Sequence, residues 1–177
     1  MKPFRPSDPS DPSNMSHPKI ITLGVYGSNE AGFFAALHDA SVDTFCDIRA
    51  RRGVRGSEYA FVNSQRLQAK LAELGIRYLH FKDLAPSEAL RKRQYAADKL
   101  DRIAKRKRTE LSEEFTAGYR EEHGDFDSRK FLEQLGPDAR VVALFCVERA
   151  ASACHRSLLA ARLQQDLGVE VVHVTPD

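Results

Sequence analysis

Near the carboxyl end, Cys146-Val147-Glu148-Arg149-Ala150-Ala151-Ser152-Ala153-Cys154-His155-Arg156-Ser157 gathers two thiols, an imidazole, a carboxylate and two guanidiniums. Ser152 is suited to cap the helix that follows, which places Cys154 and His155 in its first turn. Free backbone N–H groups and the helix dipole favour negative charge there. Two chemistries follow. An anion can dock on those groups with Arg156 as counter-charge. Alternatively, the same field favours the Cys154 thiolate, giving a nucleophilic or redox cysteine. His155 or Glu148 can then move a proton. The plainer readings are packing. Cysteine is among the most buried residue types, and His155 lies four residues before Leu159, on the apolar side of its helix.

Two further groups carry charge. Asp47-Ile48-Arg49 is followed by Arg51, Arg52 and Arg55. A buried Asp47 needs a partner, and an arginine can supply it. Arg49 and Arg55 are candidate anion ligands, joined by Tyr26 and Ser28 of the turn Tyr26-Gly27-Ser28-Asn29. The second group is the basic run Arg91, Lys92, Arg93 through Lys105, Arg106, Lys107 and Arg108, with Tyr95 inside it. It is a candidate nucleic-acid face. Interleaved Glu88, Asp98, Asp101, Glu110, Glu113 and Glu114 equally suit a solvated helix.

Other chemistries are set aside. Cys146, Cys154 and His155, with His80, lack the CxxC or HExxH spacing of a zinc site, so no metal and no cofactor is expected. Cys146 at a strand end has Ser152 where a cysteine phosphatase loop carries arginine. No GxGxxG, P-loop or GxSxG motif occurs. Cys146 and Cys154 remain a candidate redox pair if the fold brings them within disulfide reach. Cys46, inside a strand, reads as core.

The elements that would position these groups alternate. Strands are expected near 20–26, 43–49, 77–82, 140–146 and 170–175. Helices are expected over Glu30–Ala40, from Asn63 or Ser64 to Gly75, over 86–121, over Ser128–Leu135 and after Ala151 to Gly168. Alternation with short links predicts a Rossmann-like α/β three-layer sandwich with a mainly parallel five-stranded sheet and a helical insertion at 86–121. Ligands in such sheets bind beyond the carboxyl ends of the strands. That rule selects the loops after Tyr26, Arg49, Phe81 and Cys146, which hold the groups named above.

Composition sets the remaining bounds. The chain of 177 residues suits one domain, 19–177, behind a Pro-, Ser- and Asp-rich tail, 1–18, expected to be disordered. Met15 is an alternative start. A net charge of +2 implies no partner by itself. Three cysteines make no disulfide framework, which suggests a cytoplasmic setting. No apolar run reaches the ~20 residues that span a bilayer, so no membrane association is expected.

Several of these segments also resemble a family of bacterial and archaeal proteins, the domain of unknown function 488. They are Thr22-Leu23-Gly24, Asp47-Ile48-Arg49, Gly75-Ile76-Arg77-Tyr78-Leu79-His80, and above all Cys146-Val147-Glu148 with Cys154-His155-Arg156-Ser157. The resemblance spans about 19–176. The family carries histidine directly after the first-strand glycine, where this chain has Val25. It implies the α/β fold but no reaction. The expected function is therefore an anion pocket at the strand carboxyl edge for a phosphate-bearing molecule, a nucleotide or nucleic acid. Arg49, Arg55, Arg156, Tyr26 and Ser28 would bind, and Cys154, His155 and Glu148 would be the catalytic candidates. The alternatives are a non-catalytic nucleic-acid or protein-interaction module using the basic insert, and a thiol redox protein. Oligomeric state is left open.

Overall fold

A computed structural model describes residues 17–177. The tail expected at 1–18, with Met15, falls almost wholly outside the described residues.

Five strands form one parallel sheet: β1 (Lys19–Leu23), β2 (Thr44–Asp47), β3 (Arg77–His80), β4 (Val141–Phe145) and β5 (Val171–Val174), in spatial order β3-β2-β4-β1-β5. Every neighbouring pair is parallel. This is the α/β fold expected from the alternation. The central strands are buried on both faces and read as near-continuous apolar runs, Val141-Val142-Ala143-Leu144-Phe145 foremost.

Right-handed crossovers distribute the helices. The chain runs from β1 to β2 to β3 in one direction along the sheet. This sets α1 (Glu30–Asp39) and α2 (Ser64–Glu73) on one face. It returns through β4 to β5 in the other direction, so α5 (Ser128–Leu135) and α6 (His155–Leu167) cover the opposite face. Phe33 of α1 packs its ring 5.5 Å from Phe145 and 5.6 Å from Phe61, fastening one layer to the sheet. Asn29 caps α1 by accepting the Gly32 N–H, and α6 stops at Gly168 in the left-handed conformation.

The region 86–121 departs from expectation. It is two helices, α3 (Glu88–Leu100) and α4 (Glu113–Glu122), joined by an irregular stretch with one short 3-10 turn at Lys105–Lys107. Asp101 ends α3, and Arg102 takes a positive φ of 56°. Ser112 starts α4 by accepting the Phe115 N–H. The two helices pack on each other and on α6 through a separate small core of Leu90, Phe115 and Tyr119, with Leu111 and Leu158 against it. The Tyr119 hydroxyl donates to the Leu84 carbonyl at 2.8 Å, tying α4 to the segment after β3.

Candidate functional site

The loops after β1, β2 and β4 meet the insertion around a cavity of about 620 Å³, within the size range of ligand pockets. Its position beyond the strand carboxyl ends is the one the sheet topology selects.

The β2 loop supplies a buried ion pair. Asp47 is the last residue of β2 and is fully buried. It accepts from Arg49 Nε at 2.8 Å and Nη2 at 2.7 Å, from the Arg49 backbone N–H at 3.1 Å, and from the Tyr78 hydroxyl at 2.8 Å. Arg49 Nη2 also donates to the Val62 carbonyl at 3.0 Å, and the guanidinium lies 4.6 Å from the Phe145 ring centroid. Arg49 is 4% exposed and lines the cavity, yet its Nη1 has no hydrogen-bond partner among the described residues. His80, a candidate from the third strand, contacts the Arg49 carbonyl through Nε2 at 2.9 Å and is not among the cavity residues.

The β1 and β4 loops interlock. The N–H groups of Val25 and Tyr26 both donate to the Val147 carbonyl. Gly24 permits this approach: a Cβ there would lie 1.8 Å from the Glu148 carbonyl oxygen. Arg156 fastens the same loop. Its Nη1 donates to Glu148 O at 2.7 Å and its Nη2 to Arg149 O at 2.9 Å, with the side chain fully buried. The expected convergence of Arg49 and Arg156 on one concavity is therefore corrected. Arg156 is engaged by backbone carbonyls and does not line the cavity. Ser28 is likewise turned inward, donating its hydroxyl to Val25 O at 2.8 Å. Tyr26 and Arg55 do line the cavity.

The helix start is also displaced from expectation. Ala151–Ala153 forms a 3-10 turn, so Cys154, not Ser152, occupies the N-cap position of α6, with extended backbone at φ −144°. The Ser152 hydroxyl instead donates to Thr109 O at 2.6 Å. Cys154 makes no side-chain capping bond. Its sulfur lies 3.7 Å from His155 Nδ1, while His155 Nε2 stands 3.1 Å from the Ile48 carbonyl. Cys146, directly after β4, donates to Glu148 Oε2 at 3.3 Å. The side chains of Cys146, Glu148, Cys154 and His155 are buried and border the cavity. The Cys146, Cys154 and His155 ligand atoms lie within 4.8 Å of one another. Both thiols are free. The eight-residue separation of the cysteines matches no familiar metal spacing, so the sequence names these residues as candidates while only the fold brings their ligand atoms together.

Electrostatics at the cluster are uneven. Burial pushes the Cys154 thiol up, but the Cys146 hydrogen bond and the charges of His155 and Arg156 outweigh it and hold Cys154 well below the usual thiol range. Cys146 moves the other way, raised by its bond to Cys154 and by burial. Burial also raises the Glu148 carboxyl, helped by charge on Cys154 and opposed by Lys105 and Arg108. Cys46, in the core of β2, is raised chiefly by burial, with Arg77 opposing and Asp47 and Asp43 adding to the rise.

The insertion contributes the remaining wall. Arg108 is 8% exposed and binds Asp98 at 2.8 Å, Glu148 at 3.2 Å and the Ala153 carbonyl. Lys105 lies 3.6 Å from Glu148. Arg106 sits 5.2 Å from the ring centroids of both Tyr26 and Tyr59. Arg91, Lys92 and Tyr95 border the opening. The basic run is thus split: Arg108 is buried in ion pairs rather than displayed, while Arg93 and Lys107 stay outside the cavity. Among the described residues, Arg51, Arg55 and Arg91 line the cavity with no carboxylate in ion-pair range.

No helix among the described residues is long and apolar enough to cross a membrane. Comparisons with curated proteins and with solved structures return no match. The family model described as "Domain of unknown function DUF488" matches residues 31–163. That span includes β2, β3, β4, the insertion and the Cys146–Arg156 segment, and so most of the cavity wall. The chain belongs to the domain of unknown function DUF488 family.

Proposed function

We propose that the cavity binds a phosphate-bearing small molecule of the nucleotide class and presents its reacting end to the Cys146, Glu148, Cys154 and His155 cluster. The observation that carries this reading is Arg49 Nη1. A buried guanidinium nitrogen without a partner is costly, and a ligand oxygen in the cavity that Arg49 lines would complete it after a small shift of the side chains that shield Nη1. Three further supports agree with it. The lining has eight Lys and Arg side chains against two carboxylates, Glu88 and Glu148. Arg51, Arg55 and Arg91 are left to neutralise a polyanion. Tyr26 and Tyr95 offer aromatic faces for a base.

The pocket binds and the cluster reacts, so the two parts are separable. Isothermal titration calorimetry with nucleoside mono-, di- and triphosphates, and with the free nucleoside, tests the binding part. Affinity rising with phosphate number, and falling steeply with added salt, is expected. Equal affinity for nucleoside and nucleotide, or no binding of either, would overturn the reading.

A further inference from the structure

The cluster on the cavity floor has the chemistry and dimensions of a metal centre. Tetrahedral Zn²⁺ takes thiolate sulfur at ~2.3 Å and imidazole nitrogen at ~2.05 Å, which sets ligand edges of about 3.8 Å (S to S) and about 3.6 Å (S to N). The observed Cys154 Sγ to His155 Nδ1 separation is 3.7 Å. The three ligand atoms, with Cys146 Sγ, all lie within 4.8 Å of one another. Little movement brings them onto one ion.

The orientation of His155 is a second, independent observation. Its Nε2 lies 3.1 Å from the Ile48 carbonyl, which accepts a hydrogen bond from that N–H. This turns Nδ1 to the side where the sulfurs stand, so that an incoming ion displaces the proton shared between Nδ1 and the Cys154 sulfur and takes that nitrogen as a ligand. Metal-bound histidines are commonly held in this way through their other nitrogen. The cluster is fixed from both sides of the chain. Cys146 directly follows the central strand β4, Cys154 caps and His155 opens α6, and the loop before that helix is pinned by Arg156. Charge also balances. Two thiolates neutralise a divalent ion, and Glu148 and Asp98 together offset the nearby Lys105 and Arg108. Finally, all three ligands border the cavity. Three protein ligands with a fourth position open to a pocket is the arrangement of catalytic zinc, in contrast to the closed four-ligand structural site.

We infer that Cys146, Cys154 and His155 form a Cys₂His site for a divalent ion of the Zn²⁺ type, with its fourth position facing the cation-lined cavity. That position takes water or an oxygen of the bound ligand, which the ion polarises as a Lewis acid. The role toward the ligand rests on the pocket reading above; the binding of the ion does not.

The test uses the full reduced chain, stripped with chelator and titrated with Zn²⁺ and separately with Co²⁺, in the absence of any nucleotide. One equivalent of Zn²⁺ per chain is expected by elemental analysis after desalting. Co²⁺ should give the intense visible bands of tetrahedral coordination together with a thiolate-to-cobalt charge-transfer band. C146S, C154S and H155A should each weaken the metal by more than roughly 100-fold, whereas C46A should not. Because a ligand variant can lose its fold, a second readout uses the unmodified sequence. Zn²⁺ should protect Cys146 and Cys154 from iodoacetamide in peptide mass spectrometry, while Cys46 stays unlabelled with or without metal. Octahedral cobalt spectra without charge transfer, substoichiometric zinc, or zinc that fails to protect the two thiols would each overturn the proposal. Nucleotide titration of the metal-free protein is the separate arm. Binding there with no metal uptake rejects the metal site and leaves the pocket standing; metal uptake with no nucleotide binding does the reverse.

Discussion

Arg108 is the joint between the insertion and the cavity, and its removal has a calculable consequence. The Arg108→Ala change leaves Asp98 and Glu148, 7% and 6% exposed, without their shared guanidinium, and strips the Ala153 carbonyl of two donors. Breaking a buried pair by deleting one partner costs about 3–5 kcal/mol. Asp98 keeps its bond from Gln94 Nε2 at 2.8 Å, and Glu148 keeps Lys105, so the lower end applies. For a domain of this size each kcal/mol shifts the melting temperature by about 2–4 °C, giving a drop of about 6–12 °C. Differential scanning calorimetry reads the drop directly, and limited proteolysis should show faster cleavage within residues 101–112. A paired change, D98L with R108M, replaces the Asp98–Arg108 pair by apolar side chains and should recover only the share of the loss that belongs to Asp98, because Glu148 and the Ala153 carbonyl still lack the guanidinium. If R108A melts within about 2 °C of the unmodified protein, the network is not the buried joint described here, and the reasoning that places the insertion over the cavity fails.

Other changes separate stability from binding. Gly24→Ala sets a Cβ 1.8 Å from the Glu148 carbonyl oxygen; it should lower the melting temperature and weaken nucleotide binding together, read by calorimetry on the same sample. Arg106→Ala removes an exposed cation over Tyr26 and Tyr59. It should weaken nucleotide binding severalfold while leaving the melting temperature within about 2 °C, and a large loss of stability would contradict its placement at the rim. Burial lowers the affinities of His123 and His173 for a proton, with His155 and Arg156 as further charges acting on them respectively. The unfolded chain therefore takes up those protons first. Stability present above the ordinary imidazole range is lost as pH falls through it, between about pH 7 and 5. An H123Q/H173Q double variant should show a flatter decline of melting temperature across that interval, and an unchanged slope would refute the assignment.

The strands were legible because β-branched and aromatic runs alternate with helix caps, and the parallel topology followed from that alternation. The site's neighbourhood was legible for the same reason: Arg49, Glu148, Cys154 and His155 all follow strand ends. The pairings were not. Arg108 looks like one more surface cation in a basic run, and only the fold brings Glu148, forty residues on, and Ala153 against it. Arg156 looks free because its partners are backbone carbonyls, which carry no side-chain signature. The break between α3 and α4 did have a signal. Ser112 followed by Glu113 and Glu114 marks a helix start, and a start inside 86–121 excludes one continuous helix. The thiol–imidazole cluster had a signal in residue types but none in spacing: Cys146, Cys154 and His155 stand in one segment, yet they come from a strand end and a helix start, and only the fold sets their ligand atoms within 4.8 Å.

A crystal structure of the protein with a bound nucleoside diphosphate is the most direct measurement of the central claim. A phosphate oxygen should lie about 2.7–2.9 Å from Arg49 Nη1, with its charge shared by Arg55 or Arg91 and its reacting end toward Cys154. A nucleotide held instead on the outer surface at Arg93 and Lys107, with Arg49 Nη1 bound only to water, would contradict the account.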